Sequence, residues 1–361
     1  MEHRKLRIAL GAAVLLLGGA AGAQQRVTLD MDFPTAMNGA GDVVGVQLQR
    51  QKHDAALAAI QNTGRRSAAP LETPPGGESW PCGINDVGTI VGMASSAGAE
   101  PYAVTWEGAD RKLRDLGAGP GSMAYGINAA GDIVGIASGR AVLWRSKSGH
   151  HIFLSDRESR AYAINNAGSI VGAIVDAKGV SQAALWTQEV NKGGIVYYPY
   201  TLINTGNDIE SVARSMNDAG DVAGDVVGPD GVEPFIYRPG TGRVKVKFPW
   251  LDRDDRAVDV YTMGLNAGGD LLLAIHTRRR DGGTEARLQI VEHAVDPATQ
   301  RFLEVRHHLA PVSRLALVHA ELHRPPMLMN AASLLAGLQV DTQNGSSSAV
   351  LFNPREYVIQ K

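Results

Sequence analysis

A turn signal that returns seven times, an abundance of glycine and short apolar runs between the turns predict an all-β chain. The spacing points to a β-propeller of about seven four-stranded blades. A solenoid of stacked β-hairpins is the alternative architecture; its ends would need caps, and none is obvious.

The turn is clearest in Cys82-Gly83-Ile84-Asn85-Asp86-Val87-Gly88-Thr89-Ile90-Val91-Gly92, which returns from Tyr125 to Gly135 and again from Tyr162 to Gly172. Looser copies surround Asn38, Asn217, Asn266 and Asn330. The intervals between these seven asparagines are 47, 43, 37, 52, 49 and 64 residues, the size of one propeller blade.

Each copy has a local cause. An apolar strand runs into Asn-x-x-Gly, and a Val/Ile-rich strand runs out. Asparagine suits the first position of a type I turn, where its side chain accepts a backbone N–H two residues on. Glycine three residues later, as at Gly88, Gly131, Gly168, Gly220 and Gly269, tolerates the positive φ that closes a short hairpin. A second glycine, at Gly45, Gly92, Gly135, Gly172, Gly224 and Gly337, falls inside the outgoing strand. There it permits either a bulge or close packing between blades. The repeated asparagines therefore read as turn residues before ligand-binding ones.

A third strand follows, small or aliphatic and ending in a ring: Trp106, Trp144, Trp186, Tyr237 and Phe352. One ring at one fixed place per repeat predicts packing between adjacent blades rather than a platform for sugars. Fourth strands are read at Lys112–Gly117, His151–Leu154 and Val244–Phe248. Two segments compete to close the ring against Ala349–Phe352: Val27–Asp32, ahead of the first turn, and Tyr357–Ile359 near the end.

Arg4, Lys5 and Arg7, the apolar run Ile8–Leu17 and the small residues Ala21-Gly22-Ala23 describe a cleavable export signal over residues 1–23. That run is too short to span a bilayer. No cysteine lies near the cleavage site to take a lipid, and no twin arginine is present. Cleavage leaves 32 basic and 36 acidic residues of the original 35 and 37. A mildly acidic chain without a basic patch speaks against nucleic acid and against an anionic membrane surface. The expected product is secreted or periplasmic, with one domain over residues 24–361. Cys82, the only cysteine, excludes an intrachain disulfide and reads as a buried structural thiol.

At these residues the chain resembles the bacterial HAF-type extracellular repeat proteins. The likeness lies in Ile-Asn-x-x-Gly-x-Ile-Val-Gly, an Ala-containing strand ending in Trp, and Asp115-Leu116-Gly117, and it is best from Ser79 to Trp186. The His-Ala-Phe triplet is never intact; Tyr102-Ala103-Val104, Arg140-Ala141-Val142 and Ser348-Ala349-Val350 keep only its alanine. Ser333 replaces the turn glycine in the seventh copy, and Leu273 the second glycine in the sixth. The resemblance implies secretion and a propeller-like fold. It implies no activity.

No residue pattern names a reaction or a cofactor. His319 and His323 are four apart and could share a metal on a helix, with His307 and His308 nearby, but the order is not His-Glu-x-x-His. Asp252, Asp254 and Asp255 alternate with Arg253 and Arg256, and Asp221, Asp225 and Asp230 flank a glycine-rich turn. Neither set has calcium-loop spacing, and both read as solvated turns with ion pairs. Nucleophile-elbow and phosphate-loop motifs are absent. The expectation is an exported, non-catalytic binding or interaction scaffold for a protein or glycan partner. A structural envelope component and a propeller hydrolase or lyase are the alternatives. Segments 51–78 and 276–325, read as irregular, are the expected contact surface.

Overall fold

The computed structural model describes residues 27–49, 55–62, 64–146, 150–203, 210–228, 231–245, 256–278, 284–295, 302–311, 335–340 and 347–352. All regular structure among them is β. Strand β1 (Val27–Leu29) precedes the first turn. Blade I holds β2 (Phe33–Met37), β3 (Val43–Gln49), β4 (Ala55–Gln61) and β5 (Ala69–Pro70). Blade II holds β6 (Glu78–Ile84), β7 (Ile90–Ser95), β8 (Tyr102–Glu107) and β9 (Lys112–Asp115). Blade III holds β10 (Met123–Ile127), β11 (Ile133–Ala137), β12 (Arg140–Trp144) and β13 (His151–Phe153).

Blade IV begins with β14 (Ser159–Ile164), β15 (Ile170–Val175) and β16 (Ser181–Trp186). A separate hairpin, β17 (Glu189–Val190) and β18 (Val196–Tyr197), interrupts it before its outer strand β19 (Tyr200–Leu202). Blade V holds β20 (Glu210–Met216), β21 (Val222–Gly228), β22 (Gly231–Arg238) and β23 (Gly242–Lys245). Blade VI holds β24 (Arg256–Leu265), β25 (Leu271–Arg278), β26 (Thr284–Val295) and β27 (Phe302–Pro311). A parallel bridge, Val232 to Asp259, joins it to blade V. Blade VII contributes β28 (Leu335–Val340) and β29 (Ser347–Phe352).

The first strands stand beside one another in sequence order: β2 by β6, β6 by β10, β10 by β14, β14 by β20 and β20 by β24. The series returns on itself. β2 lies beside β28, and β1 completes blade VII by pairing with β29, Val27 opposite Leu351 and Leu29 opposite Ala349. The chain is therefore a β-propeller of about seven blades, not a solenoid. Closure removes the end strands whose unpaired N–H and C=O groups an open stack would expose. The amino-terminal strand takes the closing position; Tyr357–Ile359 lie outside the described residues.

The repeat turns form where the asparagines predict them. The glycine three residues on has positive φ in every described copy, 84° at Gly88 for example. One detail differs from expectation. The asparagine Oδ1 accepts the N–H of the residue four ahead, not two: Thr89 from Asn85, Asp132 from Asn128 and Ser169 from Asn165, each at 2.9 Å. The backbone N–H of each asparagine donates in turn to the carbonyl of that residue. The side-chain bond reaches two residues further than in a simple Asx turn, because the hairpin closes on both backbone groups of the fourth residue.

The second glycine serves a bulge within its own blade. Register slips once in the first strand of each of blades I to V, at Thr35, Cys82, Tyr125, Tyr162 and Arg214. Across from each slip lies the second glycine. The Arg160 carbonyl leans so far over Gly172 that a Cβ there would sit 1.9 Å from it. Blade VI keeps a bulge at the same place yet carries Leu273, fully buried, and a further bulge between Ala257 and Asp259. Nothing in the structure explains why leucine suffices there.

The rings pack between blades. Trp106 of blade II joins Val44, Ile60 and Leu71 of blade I, and Trp186 of blade IV joins Leu143 and Leu154 of blade III. Each such ring removes roughly 200 Å² from water, on the order of 5 kcal/mol before entropy is charged. Their indole N–H groups donate to the carbonyls of Glu72 (2.8 Å) and Leu154 (3.0 Å), whereas the buried indole N–H of Trp144 has no acceptor. Blade V departs from expectation. Tyr237 takes the tryptophan register but stays half-buried, and Phe235 fills the core two residues earlier, against Gly224. Phe352 has the matching register on β29.

Segments expected to be irregular contain blade strands: β4 and β5 lie within 51–78, and β26 and β27 within 276–325. Cys82 is half-buried at a bulge rather than fully buried, its Sγ 3.8 Å from the Trp80 carbonyl. Residues 1–23, read as an export signal, lie outside the described residues. No helix among those described is long and apolar enough to cross a membrane.

Candidate functional site

The two ends of the ring are built differently. At one end the asparagines form a relay. Each side-chain amide donates to the backbone carbonyl of the next blade's asparagine: Asn38 to Asn85 (3.4 Å), Asn85 to Asn128 (3.1 Å) and Asn128 to Asn165 (3.2 Å). Asn165 to Asn217 and Asn217 to Asn266 continue it, both at 3.3 Å. All six are buried. A second tier forms wherever the next blade supplies Asp or Asn after its turn asparagine. The N–H groups of Gly39, Ala129 and Asn166 donate to Asp86 (2.6 Å), Asn166 (2.8 Å) and Asp218 (2.9 Å). Buried amide groups bonded at donor and acceptor are committed to holding blades together. Asn330 lies outside the described residues.

At the other end a serine does the joining. Ser79, Ser122, Ser159 and Ser211, each six residues before a turn asparagine, are buried. Their hydroxyls accept the N–H of Ala58 (2.8 Å), Ala103, Ala141 and Ala183 (each 2.9 Å), on the third strand of the preceding blade. The donor in each case is the alanine that persists in the third-strand motif.

Beside these joints two recesses open. One, of about 240 Å³, lies between blades I and II and is lined by Ala56, Glu78, Ser79, Trp80, Met93 and Pro101 among others. The larger, about 270 Å³, lies between blades IV and V. Arg160 and Tyr162 line it from β14, Glu158 from the residue before β14, and Glu210, Val212 and Arg214 from β20. Glu158, Arg160 and Glu210 are exposed. The Arg160 guanidinium lies 4.0 Å from Glu158. Burial lowers its pKa, and Tyr162, Tyr125 and Glu158 more than offset this, so it stands above the ordinary arginine value. Tyr162 packs on Tyr125 of blade III at a centroid distance of 5.4 Å.

Floor and wall of this recess are fixed by a buried ion pair. Arg214 donates to Asp225, whose other oxygen accepts the N–H of Thr262 in blade VI (2.7 Å). Asp221 likewise takes a bidentate contact from Arg238 (2.7 and 3.0 Å), and that partner raises the Arg238 pKa against the pull of burial. Asp221 and Asp225, expected in solvated turns, are both buried. Two neutralised carboxylates in rigid settings hold strands rather than a hard cation.

The remaining sequence candidates do not gather here. His307 and His308 lie on β27, opposite Ile290 and Gln289. His319, His323, Asp230, Asp252, Asp254 and Asp255 lie outside the described residues. Among the described residues no group of three His, Cys, Asp or Glu is placed to hold a metal.

Arg160, Tyr162, Val212 and Arg214 escaped the sequence reading because their two places vary from blade to blade, whereas Glu158 and Glu210 recur, with Glu78, seven places before the turn asparagine. Five and three places before the turn asparagine stand Phe33 and Thr35, Trp80 and Cys82, Met123 and Tyr125, Arg160 and Tyr162, and Val212 and Arg214. Everything around these places recurs; these vary. Variation inside a strict repeat was the available signal, since a shared framework leaves only such places free to differ between blades.

No protein-family model matches the sequence, and no curated protein does. Among solved structures the chain is similar to a Mycobacterium tuberculosis puromycin-hydrolyzing peptidase, with 14% identity and a TM-score of 0.50 over 88% of this chain and 52% of that one. It therefore spans about half that peptidase's length. It is also similar to TolB from Acinetobacter baumannii, with 12% identity and a TM-score of 0.41 over 86% of this chain and 79% of that one. At such identities the likeness to the peptidase reports the fold alone.

Proposed function

We propose that this chain is an exported, non-catalytic binding propeller that takes a polypeptide partner at the end of the ring opposite the asparagine turns. The observation that carries the reading is the recess between blades IV and V, where exposed Glu158, Arg160 and Glu210 surround a rigid floor. Charges of both signs on two adjacent strands suit a polypeptide with its own mixed charges and offer less to a neutral sugar. Three polar side chains of the recess are engaged by the fold: Asp225 by Arg214 and Thr262, Ser159 and Ser211 by the blade joints. The export signal read in residues 1–23 and the resemblance to HAF-type repeat proteins support the compartment.

Peptide and glycan arrays probed with the mature protein test this. Saturable peptide binding that weakens about tenfold in Arg160→Glu and shifts its charge preference in Glu210→Arg is expected. Glycan binding alone, peptide binding indifferent to both changes, or turnover of the bound peptide would each overturn it.

A further inference from the structure

The recess between blades I and II stands at the same place in the repeat as the one between blades IV and V. Glu78 and Trp80 hold in blade II the places of Glu210 and Val212 in blade V, seven and five before the turn asparagine. Alternate residues of a strand share a face, and register sets Ser95 opposite Glu78 and Met93 opposite Trp80. These four side chains therefore form one patch on β6 and β7, and Ala56 lines the recess from blade I.

The two recesses differ in their cations. The later one carries its own: Arg160 lies by Glu158, and Arg214 by Asp225. Arg160 stands five places before Asn165. At that place blade I has Phe33, whose ring lies beside that of Trp80, with centroids 6.4 Å and planes 18° apart. No Lys or Arg lines the earlier recess. Glu78 is exposed, and among the described residues no hydrogen bond or ion pair engages its carboxylate. An indole held beside a neighbouring ring, a thioether and an unpaired carboxylate thus line one opening.

We infer that this recess takes an arginine side chain of the polypeptide partner, an inference that rests on the reading of that partner given above. A guanidinium is flat and weakly hydrated, so it stacks on an indole while its N–H fork donates to a carboxylate. The ammonium of lysine is compact and strongly hydrated, and gains less from the ring. The methylene stem of an arginine suits the Met93 thioether and the Ala56 methyl. The partner's arginine supplies here the charge that Arg160 supplies in the later recess.

The indole N–H resonances of the mature protein test this, with that of Trp80 identified by its loss in Trp80→Phe. N-acetylarginine amide is the probe, added at constant ionic strength. A saturable shift of the Trp80 resonance is expected, weakened about tenfold in Glu78→Gln and absent with the uncharged N-acetylcitrulline amide. Glu78 is exposed, so Glu78→Gln should melt as the parent protein does. The shift should persist in Arg160→Glu. A single-residue probe needs no peptide, so this inference and the charged recess between blades IV and V can fail separately. No saturable shift, an equal shift with the citrulline amide, or indifference to Glu78→Gln overturns the inference.

Discussion

Pro234 and Val260 stand, at the joint between blades V and VI, where four preceding joints hold an alanine N–H and a serine hydroxyl. Pro234 is in the register of Ala58, Ala103, Ala141 and Ala183, and Val260 in that of Ser79, Ser159 and Ser211. Proline has no N–H to give, and valine has no oxygen to receive one. Donor and acceptor have been lost together, so neither is stranded. Other bonds hold this joint: the Thr262 N–H to Asp225 (2.7 Å) and the Thr262 hydroxyl to the Gly224 carbonyl (2.9 Å).

The pair predicts a double-mutant cycle. Pro234→Ala alone leaves a buried N–H without a partner, and Val260→Ser alone buries a hydroxyl without one. Each should destabilise the fold by roughly 1–3 kcal/mol. The double variant should recover about 0.5–1.5 kcal/mol of the summed loss. Urea unfolding of the four proteins measures the coupling; strictly additive effects would dissociate the two positions.

Asn128 predicts a pH-dependent defect. Asn128→Ala removes the acceptor of the Asp132 N–H and the donor to the Asn165 carbonyl. The loss should be about 2–3 kcal/mol, beyond what a turn residue alone is worth. Asn128→Asp keeps the acceptor but turns a carboxylate oxygen toward a carbonyl. Its folded state favours the protonated acid, so the deficit should be small at acid pH and grow as pH rises through the carboxylate range. Melting temperature against pH, relative to the parent protein, reads this out.

Two glycines separate steric from conformational cost. Gly172→Ala would drive a Cβ into the Arg160 carbonyl, and the bulge would have to open. Gly139 has φ 72° with nothing within 4 Å of an added Cβ, so Gly139→Ala should cost only the left-handed penalty of about 1–2 kcal/mol. Denaturant midpoints should place Gly172→Ala well below Gly139→Ala. Equal midpoints would remove the bulge from the explanation.

Asp176 should make one hairpin loosen in acid. Its carboxylate accepts the N–H groups of Val180 (3.0 Å) and Lys178 (2.8 Å), and these bonds hold its pKa below the ordinary value. A lowered folded pKa means that the stabilisation is present above the unfolded value and fades as pH falls through the folded one. Amide exchange at Lys178 and Val180, corrected for intrinsic rates, should therefore lose protection on acidification. Asp176→Asn, which keeps an acceptor oxygen, should abolish the pH dependence.

The turns and the strands around them could be read from the sequence because each rests on residues within one hairpin, and the tryptophan packing because one ring recurs at one place in the repeat. Asn85, Gly88 and Ile90 specify their turn wherever the chain goes next. The ring itself left only hints: β1 and the carboxy-terminal segment were equal candidates for closure, and the pairing of Val27 with Leu351 decided between them. The sixth residue before four of the seven asparagines is serine, yet its purpose stays hidden until Ala103 of one blade meets Ser122 of the next.

What sequence alone determined was therefore the unit, through local turn chemistry and the alternation of strand residues. What only the tertiary structure decided was how units meet: the asparagine relay, the bond from Thr262 to buried Asp225 and the recess between Arg160 and Glu210. Those contacts join groups 37 to 52 residues apart in the chain. Their partners become neighbours only when the ring closes, so no window of sequence contains both halves of the interaction.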